Sequence, residues 1–144
     1  MKDFRLERSI GHIISQVSHS LGYELRQAFK KAGYDVTPQQ WGVLTRLWVQ
    51  DGLSQTEIAN MTFKDRPVIT RIIDVLERKE MVTRRPSEQD RRIVRVYLTQ
   101  KGREYQEKLV PLAKEVLERG LADISDEDLA HMTTTLQKIV ANLE

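Results

Sequence analysis

The feature that most constrains the fold is a change in apolar periodicity near Met81. Before Met81, apolar residues recur every three or four positions, as on one face of an α-helix. From Arg92 to Leu98, apolar and polar residues alternate, as in a half-buried strand. The turn-forming run Pro86–Asp90 separates this stretch from Met81–Arg85, so the two stretches predict a two-stranded hairpin.

Two short helices are predicted directly before the hairpin. The run Ser54–Glu57 is a capping box that opens the first helix, and Asp65 is placed to cap the second, with Pro67 in its first turn. The apolar face of the second helix consists of Ile69, Ile72, Ile73 and Leu76. Two short helices with a tight connection, the second strongly amphipathic, indicate a helix-turn-helix.

Longer helices are predicted on either side. The first extends from Phe4 to about Ala32, where Gly33 fits a C-terminal stop. A helix capped by Thr37 follows, and Thr99 caps another that Pro111 is expected to bend or break. Ser125 caps the last helix, whose predicted inward face is Leu129, Met132, Leu136, Ile139, Val140 and Leu143. The predicted fold class is therefore mainly α with a small β-hairpin wing.

The first helix lacks charge over an unusual length. Ser9 to Tyr23 contains no Asp, Glu, Lys or Arg, although one face of the helix is already apolar. A helix that is apolar on one face and uncharged on the other is expected to be covered on both sides. The covering partner is either a second subunit or a ligand in a cavity.

Charge is distributed unevenly along the chain. Residues 54–102 carry 11 basic and 7 acidic side chains, a net charge of +4, whereas residues 103–144 carry 5 and 9, a net charge of −4. A basic middle region suits a nucleic-acid partner, and the alternative is a solvated surface loop. The absence of cysteine excludes disulfides and thiolate metal sites, and no apolar run is long enough to span a bilayer. We therefore expect a cytoplasmic protein without a membrane partner.

The second short helix and the hairpin carry the candidate DNA contacts. With the apolar face inward, the helix presents Pro67, Thr70, Arg71, Asp74 and Arg78 outward. Arg71 is placed to bind guanine O6 and N7 in a major groove. At the hairpin tip, Arg92 is placed to enter a minor groove, and Asp90 to orient it. The other arginines expected to meet phosphates are Arg84, Arg85, Arg91 and Arg95.

Residues Leu53–Gly102 resemble the winged helix-turn-helix of the MarR family of transcriptional regulators. The resemblance is carried by Leu53–Ala59, by Asp65–Glu77 and above all by Asp90-Arg91-Arg92 running through Val96-Tyr97-Leu98-Thr99 to Gly102. The order of the flanking helices also matches, so the resemblance covers nearly the whole chain.

This resemblance implies a homodimer that binds double-stranded DNA and responds to a small-molecule effector, acting as a repressor. It implies a single domain, 1–144, with dimerisation helices at 1–33 and 103–144 and a DNA-binding region at 37–102. By motif, Arg92 becomes the minor-groove residue and Ser54 to Thr56 a phosphate contact. Pro67 replaces the small hydroxyl residue common in the family, which removes one DNA contact. The full set of DNA-binding candidates is Ser54, Gln55, Thr56, Arg66, Pro67, Thr70, Arg71, Arg84, Arg85, Asp90, Arg91, Arg92 and Arg95.

Candidates for other ligands are fewer. The effector-binding candidates are His12, Ser15, His19, Trp41 and Trp48. His12 and His19 lie two helical turns apart, and with His131 they would permit a metal-responsive regulator, although scattered histidines more often have no such role.

The remaining alternative is a winged-helix module that docks protein without reading DNA. Five arginines within one small hairpin favour DNA over this alternative. The sequence has no HExxH motif, no phosphate-binding glycine loop and no nucleophile beside a base. We therefore expect neither an enzyme nor a bound cofactor.

Overall fold

A computed structural model describes residues 4–144, which form six α-helices and three short strands. The helices are α1 (Ile10–Lys31), α2 (Pro38–Val49), α3 (Gln55–Thr62), α4 (Arg66–Arg78), α5 (Gln100–Gly120) and α6 (Asp126–Leu143). The strands are β1 (Leu53–Ser54), β2 (Val82–Pro86) and β3 (Val94–Leu98), and a short 3-10 turn spans Leu6–Arg8. None of the helices in this range is long and apolar enough to cross a membrane.

Side-chain caps begin most of the helices where the sequence predicts them. The hydroxyls of Thr37 and Ser54 each accept a backbone N–H three residues on, and the side chain at that third position accepts the N–H of the cap residue in return. Thr99 and Ser125 cap α5 and α6 in the same way, without the return bond. Asp65 is the N-cap residue of α4, as predicted, but its side chain makes no capping hydrogen bond.

The first helix begins later than predicted. Ser9 is extended and its hydroxyl accepts the N–H of His12, so α1 starts at Ile10 and not at Phe4. A 3-10 turn at Leu6–Arg8 precedes Ser9, so the residues from Phe4 to Arg8 lie outside α1. Gly33 follows the helix with a φ of +90°, which confirms the predicted stop.

The sheet has three antiparallel strands in the order β1-β3-β2. The hairpin of β2 and β3 was predicted, but β1 was not. It comprises only two residues, and Leu53 pairs with Val96, more than forty positions along the chain. Such a long-range pairing leaves no local periodicity in the sequence.

The core lies within residues 37–102, here called the winged unit, and is completed by α1 and α5. Ile69, Ile73 and Leu76 of α4 are fully buried, which confirms the predicted face of this helix. They pack with Leu44 and Leu47 of α2. From outside the winged unit, Phe29 of α1 and Leu109 of α5 join the same cluster. The base-reading candidate helix is thus fixed from behind by close-packed apolar side chains.

The two ends of the chain do not bury their apolar residues. No residue of α6 is buried, and its predicted inward face was wrong for a single chain, because Met132, Leu136 and Val140 are 44%, 36% and 52% exposed. Ile10, Ile13, Ile14 and Val17 of α1 are exposed as well, and so is Leu117 of α5. We call the first half of α1 and all of α6 the terminal helices.

Pro111 does not interrupt α5, which is continuous from Gln100 to Gly120. The alternative that Pro111 breaks the helix was therefore wrong. Gly102, in the first turn of α5, lies against Met81, the residue directly before β2. A Cβ atom at position 102 would overlap the Met81 carbonyl oxygen. The absence of a side chain at Gly102 therefore allows the start of α5 to lie close to the start of the hairpin.

Candidate nucleic-acid interface

The N-terminal half of α4 presents an exposed surface opposite its buried face. Arg66, Pro67 and Arg71 are exposed there, whereas Thr70 is half-buried. The Thr70 hydroxyl donates to the Arg66 carbonyl oxygen at 3.0 Å and accepts from Gln55 Nε2 at 3.2 Å. This leaves the guanidinium of Arg71 and the ring of Pro67 as the groups of α4 best placed to meet a base edge.

The start of α3 contributes less surface than the sequence predicts. Ser54 is only 6% exposed, and its hydroxyl accepts the backbone N–H of Glu57 at 3.0 Å. The side chain of Ser54 is therefore used to cap α3, and its predicted contact with a phosphate does not fit this position. Thr56, by contrast, is exposed.

The wing tip holds one braced and highly exposed arginine. The Nε and terminal nitrogen of Arg92 donate to the two carboxylate oxygens of Asp90, both at 3.0 Å, and the Arg92 backbone N–H donates at 3.1 Å. These hydrogen bonds, first those from the side chain, hold the pKa of Asp90 below its ordinary value. The Arg92 side chain is 91% exposed. The predicted pairing of Asp90 with Arg92 is therefore present.

Arg85 and Arg91 differ in how they are held. The Arg85 guanidinium lies 4.1 Å from the centre of the Tyr97 ring, a cation–π contact on the surface of the sheet. Tyr97 in turn covers Gly52, whose φ of +74° and close approach to the ring leave no room for a side chain. Arg91 is exposed at the wing tip beside Arg92.

The other two hairpin arginines are engaged within the protein. Arg84 pairs with carboxylates of α4, and Arg95 donates to the Gly52 carbonyl oxygen at 3.1 Å and lies 3.5 Å from Glu57. Their predicted phosphate contacts do not fit these positions, because both guanidiniums have intramolecular partners and, unlike Arg92, the two side chains are only 25% and 31% exposed. The sequence shows five arginines in one hairpin, but it does not indicate that Arg84 and Arg95 bind the hairpin to the residues packed beside it.

An apolar cleft of about 330 Å³ lies between α2 and α5. Trp41 and Trp48 form one wall, with ring centres 5.5 Å apart, and Val110 and Lys114 of α5 form part of the other. The Trp48 indole N–H donates to the Gly102 carbonyl oxygen at 2.9 Å, which fixes its ring. The sequence predicts the two tryptophans as a ligand wall but gives no signal for the α5 residues that face them.

The other effector candidates are not part of this cleft. His12, Ser15 and His19 lie on the exposed half of α1, so a single chain does not bring them together with Trp41 and Trp48. In residues 4–144 no three His, Asp or Glu side chains are grouped closely enough to hold a metal ion, and His131 is also exposed. The metal-responsive alternative therefore has no ligand set among the described residues of a single chain.

Comparison with known proteins agrees with the geometry. A MarR family model matches residues 36–94. The chain is 30% identical to the HTH-type transcriptional repressor MdtR of Bacillus subtilis, over 78% of this chain and 74% of MdtR. It is 25% identical to the organic hydroperoxide resistance transcriptional regulator of the same organism, over 96% and 92% of the two chains. The structure of the Staphylococcus aureus MepR–DNA complex superposes with a TM-score of 0.83 at 25% identity, over 97% of this chain and all of MepR. The chain belongs to the MarR family of winged helix-turn-helix regulators and is a DNA-binding transcriptional regulator, as its relatives are, and not an enzyme.

Proposed function

We propose that this regulator binds its operator as a homodimer, with α4 in the major groove and the wing tip in the adjacent minor groove. The observation that carries the proposal is that a single rigid unit exposes both the N-terminal half of α4 and the braced Arg92. The structure of the related MepR was solved as a complex with DNA, which supports the same use of this fold here.

Arg71 is proposed as the main base-reading residue. It projects from a helix whose opposite face is fully buried in a close-packed core. The position of its Cα atom is therefore well fixed. A guanidinium on such a support suits bidentate recognition of guanine O6 and N7. Pro67 and the side chain of Arg66 lie one turn earlier on the same surface and complete the contact with the groove.

Arg92 is proposed to sense the width and the negative potential of the minor groove. Asp90 occupies two of its donors and fixes its direction, but most of the guanidinium surface stays open to solvent. Narrow minor grooves attract arginine through their enhanced negative potential. Arg91, Thr56 and the stacked Arg85 are proposed as phosphate contacts around it.

The exposed apolar residues of the terminal helices support the homodimer. A stripe of apolar side chains on α6 and another on α1 would otherwise remain in water, which soluble proteins avoid for contiguous patches. We propose dimerisation through 1–33 and 103–144, with 37–102 left free for DNA. A two-fold dimer then predicts half-sites about ten base pairs apart.

The cleft between α2 and α5 is proposed as the effector site. It joins the winged unit to a helix of the dimerisation region, so a bound apolar molecule would change the relation between them. We propose that such a molecule releases the regulator, acting as a cytoplasmic repressor, from its operator.

The test measures how a panel of small aromatic compounds changes operator binding. Ala113→Trp fills the cleft and is expected to abolish the response but not DNA binding, and an unchanged response would contradict this site.

The DNA assignment is tested by comparing Arg71→Ala with Arg92→Ala on single-base variants of a selected operator. Arg71→Ala is expected to relax preference at one base pair, at a cost of about 1–3 kcal/mol. Arg92→Ala is expected to weaken binding to all variants and to reduce its salt dependence, with base preference kept. Arg26→Ala, an exposed arginine of α1, is the control and should bind as the unmodified protein does. A change of base preference in Arg92→Ala together with a uniform loss in Arg71→Ala would contradict the placement of helix and wing.

A further inference from the structure

We propose that Asp74, Glu77 and Arg84 form a clamp that fixes the wing relative to the recognition helix, and that the clamp positions the wing for DNA binding. This inference rests on the proposed roles of α4 and of the wing tip. It assigns to the three residues a positioning role without contact to DNA.

The clamp joins two elements that meet DNA in different grooves. One terminal nitrogen of Arg84, on β2, lies 2.5 Å from the Asp74 carboxylate and donates to Glu77 Oε1 at 3.1 Å, both on α4. The second oxygen of Glu77 accepts the backbone N–H of Arg84 at 3.0 Å. Both oxygens of Glu77 are therefore bonded to the same residue of the wing, once through its side chain and once through its main chain.

The main-chain bond uses a donor that the sheet leaves open. Strand β2 lies at the edge of the sheet, because the strand order is β1-β3-β2. An edge strand has N–H groups that no neighbouring strand can accept, and such groups need another partner. Glu77 supplies it, so α4 acts as a lateral support for the outer strand of the wing.

The location of the clamp suits a role in positioning the wing relative to α4. Asp74 lies three residues after Arg71, and Arg84 is the middle residue of β2, two residues before the strand ends at Pro86. Val82 and the pairing with β3 already hold the start of β2. The clamp therefore adds a constraint on how far the outer strand, and with it Arg92, lies from the groove-reading face of α4.

The local electrostatics favour a rigid contact. The Arg84 side chain is 25% exposed and faces two carboxylates. Burial acts to lower the pKa of Arg84, but the hydrogen bonds that its guanidinium donates to Asp74 and Glu77 outweigh burial and raise the pKa. The backbone N–H of Arg84, followed by its side chain, lowers the pKa of Glu77. Charge-assisted bonds of this kind are shorter and stronger than neutral ones.

A positioning role of the clamp can be distinguished from a simple charge effect, because the two predict opposite changes in operator affinity. Asp74→Asn and Glu77→Gln each remove a negative charge near DNA, so electrostatics alone would strengthen binding. A loss of positioning would weaken specific binding instead. Asp65→Asn is the matched control, since Asp65 also lies on the DNA side of α4 but makes neither a capping bond nor an ion pair within residues 4–144.

The experiment measures operator affinity together with two footprints. Hydroxyl-radical cleavage reports protection of the minor groove by the wing, and dimethyl sulfate reports protection of guanine N7 in the major groove. For the Asp74→Asn, Glu77→Gln double variant we expect about a tenfold loss of operator affinity, a faded minor-groove footprint and a retained major-groove footprint. Asp65→Asn should bind more tightly with both footprints intact. Arg84→Lys keeps the charge but loses the forked geometry, and it should give an intermediate loss.

The contrary outcomes are distinct. Operator binding by the double variant that is as tight as in the unmodified protein, with the wing footprint intact, would overturn the clamp. Equal loss of both footprints at unchanged melting temperature would overturn it too, because the wing would then not be the part affected. If the unmodified protein shows no minor-groove footprint, the proposed role of the wing fails. If the double variant does not fold, the two single variants and Arg84→Lys are read by the same criteria.

Discussion

The winged unit and the terminal helices place the same kinds of apolar residue in opposite environments. In the winged unit Ile69, Ile73 and Leu76 are fully buried by their own chain. In the terminal helices Ile13, Val17 and Leu136 remain exposed, although their spacing along the helix is just as regular. Amphipathic periodicity therefore predicts that a face will be buried, but not whether the chain itself or a second copy buries it.

The largest effect is expected in the core of the winged unit. Ile73→Ala removes a fully buried side chain beneath the recognition helix and should reduce the free energy of unfolding by about 2–5 kcal/mol. Chemical denaturation at two protein concentrations measures this loss. Because the cavity lies within one chain, the loss should be nearly independent of concentration, and a loss confined to dilute samples would contradict the distinction between the two regions.

A smaller effect, of a different kind, is expected in α6. Leu136→Glu places a charge on the apolar stripe and should weaken dimerisation by about 2–3 kcal/mol, roughly a hundredfold in the dissociation constant. Sedimentation velocity measures the dimer, and Lys138→Glu, an exposed polar position of α6, is the control. Deletion of α1 would be a less specific test, because it also removes Phe29 from the core. A Leu136→Glu protein that stays dimeric at low concentration would show that α6 is not at the interface.

The same cap chemistry in the two regions provides a finer test. Thr37→Ala and Ser125→Ala each remove one side-chain cap, at a cost of about 1 kcal/mol. The loss at Thr37 should appear in unfolding at every concentration, whereas the loss at Ser125 should appear mainly as a weaker dimer. Melting curves recorded over a range of concentrations separate the two, and identical behaviour of the two variants would remove the distinction.

The smallest effect on stability is expected when the pH is lowered. Glu77 has a lowered pKa in the folded state, so its contribution to stability is present above the ordinary glutamate value of about 4.3 and is lost as pH falls through the lower folded value. Thermal unfolding between about pH 5 and pH 3 should therefore show a loss of stability that is smaller in Glu77→Gln. An equal loss in both proteins would show that other carboxylates account for it.

The parts of the fold that could be predicted are those set by neighbouring residues. Caps at Thr37 and Ser125 depend on contacts three residues apart, and the buried face of α4 depends on its own periodicity. Strand β1 and the pairing of Arg84 with α4 depend on residues that meet only after folding, and nothing local indicates them. Phe63 is a further example, since it adopts a φ of +56° at the end of α3, where the sequence indicates only a turn.

The same limit applies to the candidate site. The sequence predicts the Asp90–Arg92 pair because the partners are only two positions apart, with Arg91 between them, in a short turn. It treats Arg84 and Arg95 as equivalent to Arg91, because composition does not distinguish an arginine with an intramolecular partner from one in solvent. The exposure of the terminal helices could not be predicted for one chain, since it depends on how many copies assemble.

The uninterrupted course of α5 has a mechanical consequence. With 21 residues at about 1.5 Å each, the helix is a rod about 31 Å long. One end is held against Met81 at the base of the wing, and the other is tied to α1 by the 2.8 Å ion pair of Arg119 with Glu24. A tilt of about 5° about one end of a rod of this length moves the other end by about 3 Å. A helix of this length would act as a lever arm, because an angular change too small to disturb packing at one end would be a displacement as long as a hydrogen bond at the other.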